Sequence, residues 1–365
     1  MNRRSFLQAG AISGLTVLSS AAGRPAPDTG PVRLNANENP LGLSPRARRA
    51  VEQALGECRR YPFAETEALR HRIAELEGIP AEAVLLGCGS SELLRLAVDL
   101  LPPDSSLVIT AEPTYEAVAH HALSLGIPVR RVPLAADFSH DLAAMERIAG
   151  DHSGPVLVYL CNPNNPTGTI TPERAIRAWL DRAPPRVTLL VDEAYHHYAS
   201  SPQYGSLLAE APRRENLLVT RTFSKVYAMA GLRLGYLAGS PARVQVLADR
   251  TRLNVSGIAV VAARISLEDR EFIARSVDTN RRGRELLAAT LADLGLEAMP
   301  SETNFVMFAI PGEVAEFSRR MQQEGVLVGR PFPPLTRWCR VTIGLPEEMS
   351  RFCSLLRMFR ERNWI

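Results

Sequence analysis

Val187-Thr188-Leu189-Leu190-Val191-Asp192-Glu193-Ala194-Tyr195 is a mostly apolar, β-branched run that ends abruptly in two carboxylates and a tyrosine. So short a run, bounded by polar residues, reads as a strand in a sheet covered by helices. Its carboxyl end delivers Asp192 to the edge where ligands bind in open α/β sheets. Comparable runs occur at Val84–Leu86, Leu107–Thr110, Val129–Val132, Val156–Leu160, Leu217–Thr220 and Leu234–Ala238, separated by longer segments of helical period. Together they predict an α/β core with a mostly parallel sheet of seven strands sandwiched by helices.

Beyond that core, residues 260–294 contain few breakers and read as one long helix. Asn304–Ala309, Val326–Gly329 and Arg340–Ile343 read as strands, and Val314–Glu324 and Glu347–Arg362 as helices, which makes a smaller α+β unit. Residues 23–55 are expected to supply a linker and the N-terminal part of this small domain, 56–255 the large domain and 256–365 the remainder.

The chain has 365 residues, 46% hydrophobic and 22% charged, enough for one large core and a satellite. A formal net charge of +3, with arginines scattered rather than gathered into a basic arm, gives no footprint for nucleic acid. Cys58, Cys88, Cys161, Cys339 and Cys353 show no CxxC pair and no ligand spacing, so they read as structural thiols and no metal site is expected. At the N-terminus, Arg3-Arg4-Ser5-Phe6-Leu7 precedes an uncharged stretch to Ala22 that closes on Ser20-Ala21-Ala22. This order resembles a bacterial twin-arginine export signal. It predicts cleavage after Ala22, passage through the twin-arginine machinery and a periplasmic or otherwise exported protein. The stretch is too short and too broken for a stable membrane span.

Four pieces carry chemistry. Thr222-Phe223-Ser224-Lys225 follows an apolar run, so the lysine sits at a strand end among small and apolar neighbours where desolvation lowers its pKa and frees its amine. Alone, a lysine is usually a solvated surface group. Asp192 at the end of its strand can pair with a pyridine nitrogen and keep it protonated; alone, it would be read as a helix cap. Asn162-Pro163-Asn164-Asn165-Pro166-Thr167-Gly168 forms a rigid turn that can present an asparagine to a ring hydroxyl. Gly87-Cys88-Gly89-Ser90-Ser91-Glu92 bridges a strand and a helix, where free N–H groups and the helix dipole meet a phosphate.

Taken together, NPNNPTG, DEAY, then SK with an arginine eight residues on resembles the fold type I aminotransferases, which use pyridoxal 5'-phosphate. The opening RLNANENPLG (residues 33–42), Tyr61-Pro62 and the closing RVTIG (residues 340–344) narrow the resemblance to the histidinol-phosphate aminotransferase group, from about Arg33 to the C-terminus. The resemblance implies a homodimer. It makes Lys225 the Schiff-base lysine and proton shuttle, Asp192 the partner of the pyridine nitrogen, and Tyr195 and Asn165 the contacts of the ring oxygen. Gly89, Ser90, Ser91, Thr222, Ser224 and Arg233 become the phosphate cup and Tyr115 the stacking ring. Tyr61 becomes a phosphate contact to the neighbouring subunit, and Asn37 and Arg340 substrate contacts. His196 and His197, next to Tyr195, are either substrate contacts or residues of the following loop; His120 and His121 are expected on a helix flank.

The chain departs from that group in places. Residues 328–334 read VGRPFPP, so the usual partner of Arg340 is shifted and Arg330 or Arg337 takes its place. Leu41 follows Asn39-Pro40, and no tyrosine stands there to hold a substrate phosphate. An exported enzyme also sits outside the compartment of histidine biosynthesis. A transaminase for amino acids and 2-oxo acids is therefore expected ahead of the biosynthetic enzyme, with a pyridoxal-phosphate lyase, racemase or cyclase as the alternative on the same fold.

Overall fold

The computed structural model describes residues 30–251 and 254–365. The export signal expected over residues 1–22 and most of the linker after it lie outside the described residues. Eleven strands are present among those described: β1 Val32–Leu34, β2 Val84–Gly87, β3 Leu107–Glu112, β4 Val129–Pro133, β5 Val156–Cys161, β6 Val187–Asp192, β7 Leu217–Thr222, β8 Gly235–Ala238, β9 Phe305–Ala309, β10 Val326–Val328 and β11 Trp338–Thr342.

Strands β2 to β8 form one seven-stranded sheet in the order β2-β8-β7-β6-β5-β3-β4. Neighbours from β7 to β4 run parallel, whereas β8 is antiparallel to both β2 and β7. All seven runs expected from the sequence are strands of this sheet. Every residue of β5, β6 and β7 is buried. Their side chains divide with the period of two that a pleated strand imposes. Val187, Leu189 and Val191 enter the core on one face, while Leu190, with Leu157 and Tyr159 of β5, enters the core on the other. Each fully buried Val or Leu contributes roughly 1.5–3 kcal/mol, so the strands are held by both layers of helices.

The smaller unit has its own core of Val306, Phe308, Phe317, Val341, Phe352 and Phe359 among others. β9 and β11 pair antiparallel, with Arg340 opposite Met307, and β1 pairs parallel with β10, which joins Val32–Leu34 to this unit, whereas Leu43 and Val51 pack against the large core. The helix expected over residues 260–294 is in fact two, Gly257–Glu268 and Arg270–Asp293. Asp269 separates them: it leaves helical geometry and its side chain accepts from Phe272 N at 3.3 Å, so a capping carboxylate outweighs the apolar periodicity. Ala259, Val260, Ala262 and Ala263 of the first helix belong to the large core. The second helix leans on that core through Ile273 and Val277, enters the small core through Leu287 and Leu291, and presses Gly283 against Ile343. Among the described residues no helix is long and apolar enough to cross a membrane.

Candidate active site

The carboxyl ends of β5, β6 and β7 open onto a cavity of about 540 Å³ that the small domain closes with Arg330, Phe332 and Arg340. Asp192 lines it at 3% exposure. Both carboxylate oxygens are engaged: Tyr159 Oη donates to Oδ2 at 3.0 Å and Thr220 Oγ1 to Oδ1 at 3.2 Å. Burial pushes the carboxyl pKa up to about 6, against these two hydrogen bonds and the charge of Lys225. A carboxylate so placed favours a cation arriving in the cavity. The motif reading passed over Tyr159 and Thr220, although strand register held the signal. Cys161 pairs with Asp192 across β5 and β6, and Tyr159, two residues earlier, shares its face.

Lys225 follows β7 through a turn in which Ser224 N donates to Thr222 Oγ1 at 3.0 Å, while Phe223 is fully buried beneath. Its Nζ donates to Asn37 O at 3.0 Å and lies 5.5 Å from the Tyr195 ring centroid. Burial, and then the charge of Arg340, bring its pKa down to about 8. One further signal was available in the sequence: of 42 basic residues, Lys225 is the only lysine.

Asn37 ties the two domains to the amine. It is buried with φ 56°, its N donates to Thr342 Oγ1 at 2.9 Å, its carbonyl also accepts from Asn304 Nδ2 at 3.0 Å, and its Nδ2 donates to Tyr195 Oη at 3.1 Å. Tyr195 is 3% exposed, and burial raises the pKa of its phenol. Arg340 reaches the cavity from β11: Nη1 donates to Asn165 Oδ1 at 2.6 Å and Nη2 to Asn35 O at 2.9 Å, while Nε is buried without a partner. A buried guanidinium with a spare donor is built to take an anion.

The opposite end is an anion cradle. The helix Ser90–Asp99 points its N-terminus into the cavity, and its cap, Gly89 at φ 82°, supplies no side chain to satisfy the first N–H groups. A Cβ at Gly89 would strike the Arg233 guanidinium, and one at Gly235 would lie 2.5 Å from Ser90 N. Arg233 is held by Ala230 O at 2.8 Å, and Ser91 Oγ and Tyr115 Oη stand 2.9 Å apart on the cavity wall.

The remaining expected residues divide. Arg330 lines the cavity, whereas Arg337 turns away and donates to Pro311 O. Tyr61 is outside the cavity of its own chain, 75% exposed and stacked on Phe63 at 5.5 Å. Of the two readings of His196 and His197, substrate contacts or residues of the following loop, the second holds, since neither lines the cavity. His196 pairs with Tyr204 and His197 with Tyr227, and burial lowers both pKa values to about 3. His120 does reach the cavity, with Arg95 and Glu116, which the sequence reading did not anticipate.

Residues 29–356 match the family described as aminotransferase class I and II. The chain is 40% identical over 333 residues to a histidinol-phosphate aminotransferase of Symbiobacterium thermophilum, covering 89% of this chain and 90% of that one. It is 39% identical to histidinol-phosphate aminotransferase 2 of Ralstonia nicotianae, with 87% and 85% covered. The crystal structure of histidinol-phosphate aminotransferase from Sinorhizobium meliloti in complex with pyridoxal-5'-phosphate superposes with a TM-score of 0.84 at 29% identity, covering 91% of each chain. With a strand-end lysine, a buried carboxylate and a helix-capped anion cradle on one cavity, the chain belongs to the class I and II aminotransferases, pyridoxal-phosphate-dependent transaminases that pass an amino group between an amino compound and a 2-oxo acid.

Proposed function

We infer that this transaminase binds pyridoxal 5'-phosphate through Lys225, Asp192 and the cradle of Gly89, Ser90, Ser91, Thr222, Ser224 and Arg233, and acts on amino acids whose α-carboxylate is held by Arg340. The observation that carries the reading is the pairing of one amine of lowered pKa with one buried carboxylate on the same cavity. The donor set fits the cofactor: an anion cradle at one end, an aromatic wall at Tyr115, and a carboxylate in need of a cation at the other. Bound there, the cofactor supplies an aldehyde for the amine and an electron-accepting ring. Lys225 then withdraws and returns the proton at the substrate Cα. Tyr195 and Asn165 donate towards the ring oxygen, and Asn37 fixes Tyr195 and the amine at once.

The unpartnered Arg340 Nε suits a carboxylate or a phosphate equally; a carboxylate is favoured because residues 37–43 place no tyrosine there to share a phosphate. Leu55, Tyr61 and Phe63 form an exposed apolar stretch, which supports a homodimer in which Tyr61 reaches the cofactor phosphate of the second subunit. The sequence of the first 22 residues supports export of the loaded, folded enzyme. The test is a half-reaction: the purified protein is loaded with pyridoxal phosphate and mixed with single amino acids. Conversion of the cofactor to its amine form, with one equivalent of 2-oxo acid, is expected with at least one donor. No conversion with any of them, alongside carbon dioxide or another product, would overturn the reading.

A further inference from the structure

Arg330 and Arg340, which the small domain brings to the cavity, differ in one respect that bears on which substrates enter. Arg340 is buried and, among the described residues, forms no ion pair with a carboxylate. Arg330 is paired: its guanidinium meets the carboxylate of Glu116, the side chains being 56% and 51% exposed. Glu116 stands at the N-cap position of the helix Ala117–Ser124 yet makes no cap hydrogen bond with its side chain, which instead crosses from the large domain to the small one. Phe332 lies between the two cations, 4.4 Å from the Arg330 Cζ and 4.7 Å from the Arg340 Cζ to its ring centroid. The small domain's side of the cavity therefore holds a fixed cation awaiting an anion and a second cation already neutralised by a carboxylate of the protein itself.

A half-exposed ion pair is weak because water screens it, and an incoming anion that fits the guanidinium can replace it at little cost. Resting on the aminotransferase reading with the α-carboxylate on Arg340, we propose that Glu116 is a specificity-determining counter-ion. It occupies Arg330 when the substrate side chain is neutral, and yields Arg330 to a substrate bearing a second anion, a distal carboxylate or phosphoryl group. Neutral and dianionic substrates thus share one cavity without leaving a bare charge at its mouth, and Phe332 separates the two anion positions.

The test uses the holoenzyme and acids that do not react, so it stands apart from turnover. Glutarate and its monoamide, glutaramate, have one length and differ by one charge; 3-phosphonopropionate probes a distal phosphoryl group. Binding is read from the change in cofactor absorbance. In Glu116→Gln the ratio of affinities, glutarate over glutaramate, is expected to rise about two- to fivefold, the worth of an exposed pair removed as competitor. In Arg330→Gln the same ratio is expected to fall by about tenfold, as a charge-assisted contact is lost. A larger rise with the phosphonate than with glutarate in Glu116→Gln identifies the distal anion as phosphoryl, a smaller one as carboxylate, and either supports the proposal. A ratio unchanged or lowered in Glu116→Gln, for both dianions, overturns it. If no amino acid converts the cofactor, the transaminase reading fails while these ratios still decide the role of Glu116.

Discussion

Tyr159 Oη donates a hydrogen bond of 3.0 Å to Asp192 Oδ2, from a strand position wholly shielded from solvent. The phenol favours the ionised carboxylate, so its loss moves the Asp192 pKa higher than the value of about 6 that burial already imposes. In Tyr159→Phe, which keeps the ring and removes only the donor, the acid limb of the kcat/KM profile is expected to move to higher pH. A hydrogen bond to a charged group contributes roughly 1.5–3 kcal/mol, so a drop of about tenfold or more in cofactor affinity is expected too. A profile and an affinity matching the parent would show that the contact is structural only.

The amine of Lys225 should report its own environment. Its pKa is lowered from 10.5 to about 8, so the neutral form grows as pH rises through 8 and is nearly complete well below the usual lysine range. Stopped-flow measurement of pyridoxal phosphate capture by the apoprotein is expected to give a rate rising to a plateau with a midpoint near 8. In stability the sign is set by the depression. The neutral group's contribution is fully present above 10.5 and is lost as pH falls through 8, so the apoprotein melts at lower temperature below that point. Because no second lysine exists, borohydride treatment should fix the cofactor on a single peptide, and Lys225→Ala should fix none.

Replacing Arg340 by methionine makes a paired prediction. After burial, the Arg340 charge is the main influence lowering the lysine pKa, so the capture midpoint should move upward. Loss of a buried, charged anion contact is worth about 2–5 kcal/mol, so KM for amino donors should rise by at least roughly thirtyfold. An unmoved midpoint would place Arg340 out of electrostatic reach of the amine.

Gly89→Ala asks alanine for φ 82° and ψ 159°, a region essentially reserved for glycine that costs about 1–3 kcal/mol, and puts a methyl group into the Arg233 guanidinium. Equilibrium dialysis is expected to show cofactor affinity weakened well beyond what the small fall in melting temperature accounts for. Loss of melting temperature with unaltered affinity would refute the cradle.

Replacing Arg3 and Arg4 with lysine should retain the protein in the cytoplasm if the leader is read by the twin-arginine machinery. Fractionation of cells expressing both versions decides it, and equal periplasmic amounts would count against export by that route.

The large sheet was legible because β5, β6 and β7 are built on short apolar, β-branched runs that lead into polar motifs, a pattern with one reading. The residues after those strands were legible for the same reason. What escaped was set by register and packing. Tyr159 hides in an apolar run and reaches Asp192 only through the alignment of two strands. His196 and His197 follow a site residue in sequence, but the turn after β6 carries them to partners outside the cavity. Asp269 looked like one polar residue in a long helix and proved to be a cap. Glu116 lies beside Tyr115, yet its partner comes from 214 positions away.

The helix Arg270–Asp293, whose 24 residues span about 36 Å, is rooted in one core and ends in the other. It works as a strut, and Gly283 is the place where the strut bears on Ile343, three positions along the chain from Arg340. A position that does not line the cavity thus bears on the chain three residues from one that does. Adding a single methyl group at position 283 would shift the clamp against the amine, detuning substrate affinity while the cofactor stays seated.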